Sequence, residues 1–111
     1  MIRVQFYLRD DGVLTGFKSA GHAEHGRYGH DIVCAAISAL TEATADGLAE
    51  VIGLKLSTVM KDGLFEVCIE PGQGEELVKQ AQVLLSTLEL ALNNITKQYP
   101  GCVRVDTKQW R

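Results

Sequence analysis

The 111 residues carry 11 Lys+Arg against 14 Asp+Glu, a net charge of −3, and 46% of them are hydrophobic and 23% charged. This size and balance fit one domain with its own core and exclude a disordered linker, while the lack of any Lys/Arg cluster argues against direct nucleic-acid binding. No apolar run approaches the roughly 18–20 residues of a membrane span, and the opening MIRVQFYLRDDG lacks the apolar stretch and cleavage site of a signal peptide, so the expected compartment is the cytoplasm and no membrane partner is expected.

Taken in chain order, Ile2, Val4, Phe6 and Leu8 alternate with Arg3, Gln5, Tyr7 and Arg9, the period of a half-buried strand. Asp10-Asp11-Gly12 signals a turn, so 13–20 should return as a hairpin partner. Residues 31–52 place Val33, Ile37, Leu40, Thr44, Leu48 and Val51 at steps of three and four, the stripe of an amphipathic helix. Leu54–Met60 and Leu64–Glu70 flank Lys61-Asp62-Gly63 as a second hairpin. A second helix is expected over 75–98, with Leu77, Ala81, Leu84, Leu88, Leu92 and Ile95 on one stripe, and a last strand over 102–107. The fold class is therefore α+β in one domain over 1–111. It has two layers, a mostly antiparallel five-stranded sheet with two helices on one face, in the order β-β-α-β-β-α-β.

Residues 21–30, GHAEHGRYGH, break the pattern: three glycines, all three histidines and almost no apolar side chain. A connection of about ten residues is long for so small a domain, and long irregular loops are commonly functional. Its glycines make it the obvious place for a lid.

Asp31 stands directly before the helical stripe, where a carboxylate caps a helix, and this makes Cys34 the third helical residue. A thiol in the first helical turn meets free backbone N–H groups and a dipole that favour its reactive thiolate form. A neighbouring imidazolium from His22, His25 or His30 would favour the thiolate further and could protonate a leaving amine. Cys68 and Cys102 sit on strands with no histidine near them in sequence and read as sheet residues. A zinc site built from His22, His25, His30 and Cys34 is the competing reading. Its spacing matches no usual structural zinc pattern, and neither a metal nor any other cofactor is expected.

Gly21-His22-Ala23, then Gly29, then Asp31-Ile32-Val33-Cys34-Ala35-Ala36 with Ser38 resembles the signature of the ribosomal-processing cysteine protease family, Prp. The length and order of elements agree with it over essentially the whole chain. The resemblance implies removal of a short N-terminal extension from a bacterial large-subunit ribosomal protein, with cleavage after an aromatic-rich motif. It also implies His22 as catalytic histidine, Cys34 as nucleophile, and a homodimer whose 21–30 loop moves with substrate. Asp31 and Ser38 match positions associated with the site, whereas His25 and His30 do not belong to the shared pattern. Asp31 is left with two roles, capping the helix or orienting His22. The alternative from another class is a non-catalytic ribosome-assembly factor that docks a peptide and needs no reactive thiol.

Overall fold

The computed structural model describes residues 1–21 and 30–109, with His30 described by its backbone. The elements are β1 (Ile2–Leu8), β2 (Leu14–Ala20), α1 (His30–Asp46) continued by a π-helical turn (Gly47–Ile52), β3 (Leu56–Lys61), β4 (Leu64–Ile69), α2 (Glu75–Gln98) and β5 (Val103–Gln109). They form a five-stranded sheet in the order β3-β4-β2-β1-β5. Three pairings are antiparallel, and β5 joins β1 in parallel, so the sheet is mixed.

Register explains which face is buried. Phe6 pairs with Phe17, which pairs with Val67, so these three share the face that also carries Ile2, Val4 and Val103. Both helices lie on this face: Val33, Ile37 and Leu48 from α1 and its continuation, with Ala81, Leu85, Leu88 and Leu92 from α2, close the core over it. Phe6, Phe17 and Phe65 form a row of rings with centroids 6.3 and 5.9 Å apart. The Gln82 side chain pins α2 to the sheet, accepting from the Leu14 N–H at 2.7 Å and donating to its carbonyl at 2.8 Å.

Four sequence expectations change. First, Tyr7 is only 2% exposed although it belongs to the sheet face without helices. Its ring crosses over β2 at Gly16, where a Cβ would lie 2.1 Å from the Val67 carbonyl oxygen, and its hydroxyl donates to Glu66 on β4. Burial, and then the Glu66 carboxylate, hold the Tyr7 proton well above its usual range. Second, Val51 was expected on the buried stripe but is 84% exposed, because the π-helical turn widens the period and Leu54 takes the buried place instead. Third, Asp31–Ile52 is, by length and composition, apolar enough to cross a membrane, which no continuous run revealed; Val33, Ile37 and Leu48 face the core, whereas Ile32 and Val51 are exposed. Fourth, α1 begins at His30, so Asp31 lies inside its first turn and is not its cap. There the carboxylate still meets the positive end of the helix dipole.

Candidate active site

The sheet and α1 bring the described part of the candidate site together at one end of β2. Gly21 directly follows β2 with φ +107°, and a Cβ there would lie 2.5 Å from the Met1 carbonyl oxygen, so only glycine fits. Its N–H donates to the Gly63 carbonyl at 2.9 Å, which ties the chain leaving β2 to the β3–β4 turn. Gly21, Cys34 and Ser38 line one hollow of about 290 Å³. His22, joined directly to Gly21 in the chain, lies outside the described residues, as do His25, Gly29 and the expected lid of the 21–30 loop.

Cys34 is the fifth residue of α1, two later than expected, and is half-buried. Its N–H therefore sits in the helical ladder, facing the His30 carbonyl. The N–H groups of His30, Asp31 and Ile32 are the ones the helix leaves free. Ser38 follows one turn later on the same ridge and is exposed. One further turn on, the Thr41 hydroxyl is buried and donates to the Ile37 carbonyl at 2.8 Å. Asp31 is exposed and makes no capping bond to a described residue.

The other two thiols lie elsewhere. Cys102 is buried at the foot of β5, and Cys68 stands on β4, on the opposite face of the sheet from α1. Burial and then the Glu66 carboxylate push the Cys68 thiol up, which keeps it protonated. Among the described residues no group of three or more His, Cys, Asp or Glu could hold a metal ion.

The far wall of the hollow was missed by sequence reasoning. Met60, Lys61, Asp62, Gly63, Leu64 and Phe65 form it, and Glu42 closes one end. In the sequence Lys61-Asp62-Gly63 signals a turn and nothing more, since no local pattern tells which helix a turn will face.

A half-buried thiol near the start of a helix, opening on a hollow of this size, fits a thiol hydrolase, and comparison with known proteins makes the class definite. Residues 1–104 match the family described as Cysteine protease Prp. The chain belongs to this family of cysteine proteases. It is 31% identical over 110 residues to the ribosomal processing cysteine protease Prp of Staphylococcus aureus, covering 97% of this chain and 100% of that protein. The Bacillus subtilis protein of the same name is 28% identical over 100 residues, covering 88% of each. A crystal structure of the S. aureus protease in complex with a substrate peptide is similar at a TM-score of 0.84 and 29% identity, over 97% of this chain and 100% of that one. Another, with a covalently linked product peptide, has a TM-score of 0.81 and 31% identity over the same shares.

Proposed function

We propose that this chain removes the short N-terminal extension of a bacterial large-subunit ribosomal protein, with Cys34 as nucleophile and His22 as its acid–base partner. In this mechanism the Cys34 thiolate attacks the scissile carbonyl, forming a C–S bond. The C–N bond then breaks as the imidazolium of His22 gives its proton to the leaving amine. Water, deprotonated by His22, attacks the thioester and releases the Cys34 sulfur. Because the helix ladder holds the Cys34 N–H, the oxyanion would draw on the free N–H groups of residues 30–32. The enzyme acts as a cytoplasmic homodimer without a cofactor, with 1–111 as its one protease domain.

The observation that carries this reading is the shared hollow. Cys34 lines it together with Gly21, the residue bonded to His22, and the other two thiols lie away from it. The test is incubation with large-subunit ribosomal proteins bearing their N-terminal extensions, followed by mass spectrometry of the products. One of them should lose its extension at a single bond after an aromatic-rich motif. Cleavage of unrelated peptides with all extensions left intact would overturn the substrate assignment.

A further inference from the structure

The hollow at Cys34 does not end at Glu42. A second hollow, of about 340 Å³, shares Glu42, Met60 and Phe65 with it, so the two form one trough. One side of the trough is a ridge of α1 on which Cys34, Ser38, Glu42 and Asp46 follow at steps of four, with Ala49 at the far end. The other side is β3, through the alternate residues Met60, Thr58 and Leu56. From Cys34 to Ala49 a helix advances about 22 Å, which an extended chain covers with about seven residues.

β3 is an edge strand, so half of its backbone N–H and C=O groups face away from β4 and are not taken by the sheet. Such an edge, beside a trough that leads to a nucleophile, suits an extended peptide that pairs with the strand. The charge on the trough is mainly negative. Glu42 lines both hollows and makes no hydrogen bond or ion pair with a described residue, Asp46 stands one turn further on, and Asp62 and Lys61 lie at the opposite wall.

We infer that the substrate chain runs along this trough from Cys34 and that Glu42 selects a basic side chain, Lys or Arg, about four residues from the scissile bond. The spacing follows from the eight helical steps that lead from Cys34 to Glu42, about 12 Å of rise, set against about 3.3 Å per residue of extended peptide. Basic residues near the cut are what a ribosomal protein, built to meet RNA phosphates, would present. The inference rests on the peptidase reading above and adds to it a residue that sets specificity.

The test is a peptide series built on the extended ribosomal N-terminus with its native basic residues replaced by glutamine, in which one Lys is moved through the positions on both sides of the cut. Wild type, Glu42→Gln and Glu42→Lys are compared by kcat/KM, with thermal unfolding to show that all three are folded. Wild type should favour Lys at one position about four residues from the cut by roughly three- to fivefold, the scale of an exposed ion pair, and the preference should fade in high salt. Glu42→Gln should lose the preference, and Glu42→Lys should favour Glu at that position. Cleavage with the same Lys profile in all three proteins would overturn the role of Glu42 while leaving the peptidase reading intact. Failure of wild type to cut any of the peptides, native sequence included, would overturn that reading and this inference with it.

Discussion

Replacing Gly21 with alanine tests the joint on which the site is built. The residue has φ +107°, and a Cβ would meet the Met1 carbonyl oxygen at 2.5 Å, with the Ile2 Cα at 3.4 Å. A non-glycine residue held in this region costs about 1–3 kcal/mol, and the collision with backbone adds an overpacking cost of about 1–3 kcal/mol. Gly12→Ala is the control. Its φ is +86°, but nothing lies within 4 Å of its added Cβ, so it carries the conformational cost alone. Urea unfolding should therefore place Gly21→Ala about 2 kcal/mol below Gly12→Ala, within what a domain of about 5–15 kcal/mol can lose and stay folded. Activity should separate the two as well. Gly12 lies in the β1–β2 turn at the other end of β2, so only Gly21→Ala should lower cleavage. Equal unfolding free energies and equal rates would refute the reasoning that Gly21 is held by close contact with the start of β1.

Three other outcomes are expected. Iodoacetamide at neutral pH should label Cys34 well before Cys68 and Cys102, because Cys34 opens on the hollow, Cys102 is buried and the Cys68 thiol is held protonated; peptide mapping over time reads the order. His22→Ala should cut kcat by several orders of magnitude, while His25→Ala and His30→Ala should each cost far less, as single-turnover cleavage will show. Stability should fall as pH rises above about 10, the ordinary tyrosine value, because the unfolded chain releases the Tyr7 proton that the native state retains. Urea midpoints across that range should fall more steeply for wild type than for Tyr7→Phe.

The elements were legible because each is written locally. The alternation from Ile2 to Leu8 gave β1, and the steps of three and four from Leu77 to Ile95 gave α2 with the bounds that the structure has. Readings that depend on distant partners were not. Tyr7 alternates with the buried face, beside Gln5 and Arg9, and its hydroxyl's partner is Glu66, a residue far off in sequence that β2 and β4 bring alongside. Val51 follows the helical period, but the change to a π-helical turn after Asp46 rotates it into solvent. The parallel pairing of β5 with β1 joins the two ends of the described chain, and no local signal announces it. At the site, Gly21, Cys34 and Ser38 were singled out and the structure brings them to one hollow. Glu42 and the β3–β4 wall were missed, because in sequence one looks like a solvated helical charge and the other like a plain turn.

The central claim is that the sulfur of Cys34 carries the cleavage. Its most direct measurement is intact-protein and peptide mass spectrometry of wild type and Cys34→Ala after mixing with an extended ribosomal N-terminal peptide and rapid acid quenching. Wild type should release the mature peptide and carry the extension as a transient thioester mapped to Cys34. Cys34→Ala, folded by circular dichroism, should show neither product nor adduct. Cleavage by Cys34→Ala at the wild-type rate, or an adduct mapped to Cys68 or Cys102, would contradict the account.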